Sequence, residues 1–221
     1  MKLLFSACTK LILGIIIVGA LLFLPAGGFD YPGAWLFMAL LFVPMALLGI
    51  VLFIKAPSLL EKRLRSRESE SGQRRIVSLS ALLFLTGFIA AGLDHRFSLT
   101  HVPLPVVITA SVVLLASYAM YAEVMRENAY LSRTVEVQSG QTVIDTGLYG
   151  IVRHPMYTSV IFLFLSIPLV LGSFISFVIF LIFPALLIAR IKNEETVLRA
   201  GLAGYDEYTK RVKYRLIPFI Y

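Results

Sequence analysis

The chain has 221 residues, of which 58% are hydrophobic and only 15% are charged, and its mean hydropathy is +0.86. A soluble domain of this length is usually about half apolar and a quarter charged, so the composition excludes an ordinary soluble protein. The net charge of +7 does not indicate nucleic-acid binding, because basic loops orient membrane proteins. We therefore predict an all-α, polytopic membrane bundle that sits in a lipid bilayer and has no nucleic-acid partner.

Six apolar segments follow one another along the chain, at residues 11–24, 33–54, 76–93, 102–125, 156–171 and 174–189. A helix needs roughly 17–25 residues to cross a hydrocarbon core of about 30 Å, and the middle segments reach this length. The last two have 16 residues each and are separated only by Gly172 and Ser173. These two segments are predicted to form a short, tight helical hairpin, and whether they cross the membrane fully stays open.

The charged residues between these segments predict the orientation. The stretch between the second and third segments carries seven basic residues, Lys55, Lys62, Arg63, Arg65, Arg67, Arg74 and Arg75. The loop between the first and second segments holds only Asp30. By the positive-inside rule the basic stretch is cytoplasmic, and so are both termini, the connection 126–153 and the tail from Arg190. We expect a multi-pass protein of the plasma or inner membrane, with the stretch 61–75 partly helical and in contact with anionic lipid.

The polar residues that could carry chemistry divide the chain into two regions. Residues 1–125 are predicted to supply four transmembrane helices, and residues 126–221 a cofactor-binding and catalytic region with the hairpin and C-terminal helices. In "DTGLYGIVRHPMY", two glycines flank a tyrosine, and Pro155 suits the first turn of a helix. Arg153 and His154 then lie at a helix N-terminus, where free N–H groups and the helix dipole favour an anion.

A second polar stretch covers residues 189–221. Arg190 and Glu194 are four residues apart, and so are Glu195 and Arg199. Such pairs are ordinarily surface ion pairs worth a few tenths of a kcal/mol. However, this helix leaves the membrane at the face that carries His154, so its glutamates are also candidates for a ligand site. The tyrosines of the stretch, Tyr205, Tyr208, Tyr214 and Tyr221, fit either interfacial anchors or pocket walls. Cys8 is the only cysteine, which excludes a cysteine metal cluster, and we predict no metal site.

Several motifs in fixed order resemble a known family. "DTGLYGIVRHPMYTS", followed by "RIKNEETVL", "YDEYTKRV" and "YRLIP", resembles the isoprenylcysteine carboxyl methyltransferase family, which also takes in phospholipid N-methyltransferases and small-thiol methyltransferases. "NAYLSRTVEVQ" at 128–138 is similar to the segment before the Arg-His-Pro motif. The resemblance covers about 126–221. Two positions depart from it: Leu148 stands where many members have Pro, and Ser159 stands where many have Gly. The serine side chain at 159 leaves less room for close packing of the hairpin helices.

The resemblance implies a methyltransferase that depends on S-adenosylmethionine, lacks a Rossmann domain and acts on a lipophilic or membrane-delivered acceptor, at a carboxyl, thiol or amine. Carried over by motif, the cofactor-binding residues would be Gly147, Leu148, Tyr149, His154, Tyr157 and Glu195. The catalytic candidates would be Arg153 and Arg190, as charges facing the acceptor, and Glu194, as a base for an amine or neutral thiol, a role that Glu195 could also serve. Two other classes stay open: an NADPH-dependent membrane reductase of sterol-reductase-like fold, and a non-enzymatic carrier or assembly component. The acceptor and the oligomeric state are also open.

Overall fold

The computed structural model describes residues 2–64, 71–131 and 137–221. Over these ranges all regular secondary structure is helical, with nine α-helices and one short 3-10 helix, as predicted for an all-α protein. The elements are α1 Lys2–Ala26, α2 Pro32–Lys55, α3 Pro57–Leu64, α4 Ser71–Phe97, α5 Leu104–Glu127, the 3-10 helix Gly147–Gly150, α6 Pro155–Val170, α7 Phe174–Phe180, α8 Phe183–Gly201 and α9 Tyr205–Arg211.

Five stretches of the described chain are long and apolar enough to cross a membrane, and α6 is a sixth, shorter apolar helix. The five are Leu3–Ala26, Pro32–Lys55, Arg74–Phe97, Leu104–Glu127 and Phe174–Gly201. At 1.5 Å per residue, the 16 residues of α6 extend about 24 Å. The protein is therefore an integral multi-pass membrane bundle, and the six predicted apolar segments each correspond to a helix or a helix pair.

The predicted hairpin is present, with one difference in its second arm. Gly172 has φ +81°, a conformation that favours glycine, and the Ser173 hydroxyl accepts a 3.0 Å hydrogen bond from the Ser176 N–H at the start of α7. The second arm is broken between α7 and α8 because Pro184 has no N–H to donate to the carbonyl of Phe180. It then continues to Gly201, beyond the predicted end at residue 189.

Close helix packing surrounds the hairpin. The helix α6 packs mainly on α5, whereas α4 contacts α1, α7 and α8. A Cβ on Gly87 would lie 2.3 Å from the ring of Phe180, and one on Gly33 would lie 2.8 Å from the carbonyl oxygen of Leu171. These two glycines let α4 and α2 approach the hairpin more closely than larger residues would. Large apolar side chains remain exposed on α1, α2, α4 and α5, as expected for surfaces that face lipid.

A buried polar group closes the bundle at the hairpin end. The Asp94 side chain is 1% exposed and accepts hydrogen bonds from the backbone N–H of Thr100 (2.7 Å) and from the hydroxyls of Thr100 and Ser173 (2.5 Å each). Beside it, the hydroxyl of Tyr31 donates to the carbonyl of Leu171 at 2.8 Å. We call Tyr31, Asp94, Thr100 and Ser173 the far-end cluster; it connects α2, α4 and the hairpin turn.

The opposite end of the bundle gathers the start of α1, the end of α2, α3, the end of α5, the start of α6 and the end of α8. Here the Lys10 ammonium donates to the carbonyl of Leu64, which joins α1 to α3. In the basic stretch 61–75, α3 ends at Leu64 and α4 begins at Ser71, and residues 65–70 lie outside the described residues. The segment 128–138 is likewise described except for residues 132–136. Both polar stretches of the second region therefore reach the same end of the bundle.

Candidate functional site

The start of α6 is bonded to the last residues of the chain, 212–221, which we call the tail from here on. His154 is the N-cap residue and Pro155 occupies the first turn, as predicted. The backbone N–H of Arg153 donates to the carbonyl of Tyr214, and that of His154 to the carbonyl of Arg215, at 2.9 Å each. The sequence suggested that free N–H groups at this helix start would bind an anion. That expectation is wrong for these two groups, because the tail already satisfies them.

Glu195 lies at the centre of a group of polar side chains that is buried except for Arg215, whose side chain is 32% exposed. Its side chain is 5% exposed; Oε1 accepts a 2.8 Å hydrogen bond from Arg153 Nε and lies 3.2 Å from His154 Nε2. Its Oε2 accepts a 3.0 Å hydrogen bond from Arg215 Nε. We call Arg153, His154, Glu195 and Arg215 the buried ion cluster. Because it joins α6, α8 and the tail, it fixes the position of three separate parts of the chain.

Arg153 is also bonded to the backbone of the tail. Its Nη1 donates to the carbonyls of Val212 and Lys213, at 2.8 Å each. The interpretation of Glu195 as a surface partner of Arg199 is wrong: Arg199 is exposed and pairs with Asp206. Removing the Arg153 and Glu195 charges from water is compensated by several hydrogen bonds on each group, which is the condition for a stable buried ion pair.

Glu194, the neighbour of Glu195, makes a separate set of contacts. The hydroxyl of Tyr157 donates a 2.5 Å hydrogen bond to Glu194 Oε2 and accepts a 2.9 Å hydrogen bond from Arg190 Nε. Tyr157 is 4% exposed, so α6 and α8 meet here through buried polar groups. The two residues that the sequence places four apart on α8 are thus joined through a tyrosine of α6.

A cavity of about 100 Å³ opens beside this group. One wall is polar and consists of Arg153, His154, Tyr157, Arg190 and Glu194. A second wall is apolar and aromatic and consists of Val143, Leu198, Leu202, Tyr205 and Tyr208, which we call the aromatic wall. The connection between α5 and the 3-10 helix contributes further residues, among them Asn128, Tyr130 and Gln141. Of the predicted site residues, Tyr149 also lines the cavity, whereas its described lining does not include Gly147, Leu148 or Glu195.

The helix α8 arranges both walls along a single face. Arg190, Glu194 and Leu198 lie at successive four-residue spacings, and Leu202 follows at the C-cap. Residues four apart share one face of a helix, and twelve residues rise about 18 Å. The cavity therefore changes from charged to apolar along the axis of α8.

The turn Gly147–Gly150, which precedes α6, places Tyr149 in the lining of this cavity. Gly147 has φ +51°, and a Cβ at this position would lie 2.0 Å from Glu127 Oε1. The positive φ accounts for the glycine, and a side chain here would also displace the Glu127 carboxylate, so no contact of Gly147 with the cavity is needed to explain it. The hydroxyl of Tyr149 accepts from the Asn128 side-chain amide at 2.9 Å, and its carbonyl accepts from the Tyr208 hydroxyl at 2.7 Å.

Three tyrosines of the cavity outside the membrane helices, Tyr149, Tyr205 and Tyr208, have raised pKa values. Burial raises the pKa of Tyr149 to about 12, although its hydrogen bond with Asn128 acts in the opposite direction. Burial also raises the pKa of Tyr205 and of Tyr208 above the usual value of a phenol. Their hydroxyls are therefore protonated throughout the physiological range and act as neutral hydrogen-bonding groups.

The donors and acceptors of this cavity can be compared with S-adenosylmethionine, the cofactor that the sequence resemblance implies. The Tyr205 hydroxyl is buried beside the cavity and has no hydrogen-bond partner in the part of the chain that the structure describes. A buried hydroxyl without a partner is unfavourable, so a ligand with a polar atom at this point would satisfy it. The cofactor is elongated, with a zwitterionic end and a flat base, and the cavity likewise has a charged wall and an aromatic wall.

Sequence reasoning did not single out Arg215, Asn128 or the residues 141–144. Arg215 lies within the "YRLIP" motif, but the motif does not indicate that the arginine is bonded to Glu195. The departure at Ser159 is accommodated: the residue is fully buried and its hydroxyl donates to the carbonyl of Met156 at 2.7 Å within α6. A serine fits this packed position because its own helix satisfies the added hydroxyl.

Comparison with known proteins agrees with the resemblance noted in the sequence. Residues 106–200 match the isoprenylcysteine carboxyl methyltransferase (ICMT) family. This part of the chain is ICMT-like. It includes all the catalytic and cofactor-binding candidates named from the sequence, whereas α9 and the tail with Arg215 lie beyond it. The ICMT match supports a membrane methyltransferase.

A second similarity concerns a reductase. The chain is 34% identical over 91 residues to the Delta(14)-sterol reductase TM7SF2 of Mus musculus. The aligned region is 40% of this chain but only 22% of the reductase, so the chain spans about a fifth of that relative's length. The shared region therefore accounts for a small part of the reductase.

Proposed function

We propose that the protein is an S-adenosylmethionine-dependent methyltransferase of the membrane, with its site on the cytoplasmic side and a lipophilic or membrane-delivered acceptor. The observation that carries the proposal is the arrangement of Arg190, Tyr157 and Glu194 on the polar wall of a cavity. This cavity lies where the start of α6 meets the second half of α8. This arrangement lies within the ICMT-like region. The acceptor group is a carboxyl, a thiol or an amine.

When bound, S-adenosylmethionine supplies a methyl group carried by a positively charged sulfur. Glu194 brings a negative charge to the polar wall, which favours a cationic ligand beside it. Arg190 is suited to orient an anionic acceptor through charge-assisted hydrogen bonds, and Glu194 to accept a proton from an amine or neutral thiol. Tyr157 holds these two side chains in place, and burial among α6 and α8 excludes water from the reacting atoms.

The remaining site residues divide into two roles in this proposal. His154, Tyr149 and Tyr157 line the cavity and are the residues that would hold the cofactor. Arg153 and Glu195 act as positioning residues, because they are bonded to one another and to the tail, and Glu195 also contacts His154. Gly147 and Leu148 shape the turn that presents Tyr149.

Binding measurements on the purified protein in detergent test this proposal. We expect titration calorimetry to detect S-adenosylmethionine and not NADPH, and methyl-labelled S-adenosylmethionine to label a lipid, thiol or peptide in membrane extracts. Glu194→Gln should abolish labelling while the protein stays folded. Glu207→Gln is the matched control, since Glu207 is exposed on α9 and outside the cavity. Labelling that survives Glu194→Gln at the wild-type rate would contradict the role of Glu194.

A nicotinamide-dependent reductase is the second candidate, favoured by the identity with the mouse sterol reductase. The same titration separates the two activities. NADPH binding without S-adenosylmethionine binding would establish the reductase candidate and reject the methyltransferase. Binding of neither would favour a non-enzymatic membrane component.

A further inference from the structure

Tyr205 differs from the other tyrosines of the cavity in its hydrogen bonding. The hydroxyl of Tyr157 is bonded to Glu194 and Arg190, and the hydroxyl of Tyr208 donates to the carbonyl of Tyr149. The Tyr205 side chain is 4% exposed, and its hydroxyl has no partner among the described residues. The fold therefore buries this hydroxyl at the cavity without using it.

The surroundings of Tyr205 suit a flat, largely apolar group. Its ring lies 5.8 Å from that of Tyr208, with 50° between the planes, and Leu202 belongs to the same buried cluster. Val143 and Leu198 pack against this cluster and also line the cavity. Burial raises the pKa of the Tyr205 phenol, so its hydroxyl is a neutral group that can both donate and accept one hydrogen bond.

The position of Tyr205 along the cavity indicates which part of a ligand it meets. Glu194 belongs to the charged part of the α8 face, and Leu198 and Leu202 follow it by four and eight residues. These spacings correspond to about 6 and 12 Å along the helix axis. A ligand whose charged portion lies at Glu194 would thus extend its other end into the aromatic wall.

We propose that the Tyr205 hydroxyl binds the adenine ring of the ligand and makes the site selective for that base. The proposal rests on the methyltransferase function proposed above. Adenine offers ring nitrogens that accept a hydrogen bond and an exocyclic amine that donates one, both in the plane of a ring that packs well on aromatic side chains. We place the Tyr205 hydroxyl as the acceptor from the exocyclic amine, and a base that carries a carbonyl there cannot supply this hydrogen bond, which is the basis of the selectivity.

The substitution Tyr205→Phe removes one oxygen and keeps the ring. S-Adenosylhomocysteine and its inosine analogue, which carries a carbonyl in place of the amine, are the two probes for titration calorimetry. We expect the wild type to prefer the adenosine form, and Tyr205→Phe to weaken its binding about tenfold and to narrow the preference. Unchanged affinity together with an unchanged preference would overturn the proposal.

Tyr221→Phe is a matched control. The Tyr221 hydroxyl is also buried without a partner among the described residues, but Tyr221 does not line the cavity. We expect this variant to bind both probes as the wild type does, and an equal loss in the two variants would contradict a specific role for Tyr205.

Thermal unfolding without ligand supplies an independent measurement. If the hydroxyl serves a ligand, Tyr205→Phe should unfold at the wild-type temperature or above it, because an unsatisfied buried group has been removed. A clear loss of thermal stability would show a structural role and reject the proposal. If the wild type binds no S-adenosylhomocysteine at all, the methyltransferase proposal fails and this inference fails with it; binding that ignores Tyr205 rejects only the inference.

Discussion

The two ends of the bundle each contain a buried carboxylate that connects separate parts of the chain. At one end, Asp94 of the far-end cluster bonds the segment after α4 to the hairpin turn. At the other, Glu195 of the buried ion cluster bonds α8 to the start of α6 and to the tail. Both side chains are almost inaccessible to solvent. In each cluster, a buried carboxylate therefore holds together segments that are far apart in sequence.

They differ in charge and in what lies beside them. Asp94 is bonded to hydroxyls and a backbone N–H, whereas Glu195 is bonded to two arginines and a histidine. The buried ion cluster borders a cavity in which the hydroxyl of Tyr205 has no partner among the described residues. A buried network whose groups are all paired is explained by stability, whereas one beside a cavity and an unpaired hydroxyl points to a ligand. Substitutions at each end test this distinction.

The largest effect is expected for Glu195→Ala. The change leaves the buried guanidinium of Arg153 without its carboxylate, and breaking one side of a buried ion pair typically costs 3–5 kcal/mol. We expect the free energy of unfolding, measured by denaturant titration in detergent micelles, to fall by about this amount. Glu207→Ala, at an exposed position, is the control. A loss below about 1 kcal/mol for Glu195→Ala would show that the cluster contributes little to folding.

Asp94→Ala should have a smaller effect on stability and none on ligand binding. The change leaves three donors, two from Thr100 and one from Ser173, without their acceptor. Hydrogen bonds to charged groups are worth about 1.5–3 kcal/mol each, and movement of the Thr100 and Ser173 side chains is expected to recover part of this loss. We expect a loss of about 2–3 kcal/mol in unfolding free energy. The S-adenosylmethionine affinity of the folded variant should equal that of the wild type. A parallel loss of affinity would show that the two ends are energetically coupled.

His154→Ala should separate ligand binding from folding. Its ring lines the cavity, so we expect at least a tenfold loss of S-adenosylmethionine affinity, or about 1.4 kcal/mol, measured by titration calorimetry. The bundle should remain folded because Arg153 and Arg215 still neutralise Glu195. His101→Ala, at an exposed position near the far end, is the control. Wild-type affinity in a folded His154→Ala protein would remove His154 from the site.

Arg199→Ala should have the smallest effect. Its ion pair with Asp206 is exposed on both sides, and exposed pairs contribute between zero and about 1 kcal/mol. We expect a change of a few tenths of a kcal/mol in unfolding free energy and no change in S-adenosylmethionine binding. If this variant lost as much unfolding free energy as is expected for Glu195→Ala, the contrast between the surface pair and the buried ion cluster would not hold.

Local patterns in the sequence predicted much of the fold. Apolar runs of sufficient length located the membrane helices, and Gly172 with Ser173 located the hairpin turn. The sequence also predicted that the Arg-His-Pro motif and the polar stretch 189–221 would meet at the same end of the bundle. These features depend on residues close together in sequence, so composition and spacing were enough to find them.

The details of the site depend on information that the sequence does not display. Successive residues of a helix point about 100° apart, so Glu194 and Glu195 face different surroundings, and only the packing of α8 decides which one lines the cavity. The bonds between Arg153 and the tail join residues 59 and 60 positions apart. No local pattern identifies such partners, which is why Arg215 was missed.

The bonds between Arg153 and the tail also impose an order on biosynthesis. A chain made from its N-terminus inserts α6 before residues 212 and 213 exist, so the guanidinium of Arg153 has no backbone carbonyls to bond when its helix enters the bilayer. A charged group without partners stays hydrated at the membrane surface. Arg153 can leave water only after the tail has been synthesised and folded back. The membrane helices are therefore made first and the bonds that fix Arg153 last, and a nascent chain stalled before residue 212 would be inserted without the bonds between Arg153 and the tail.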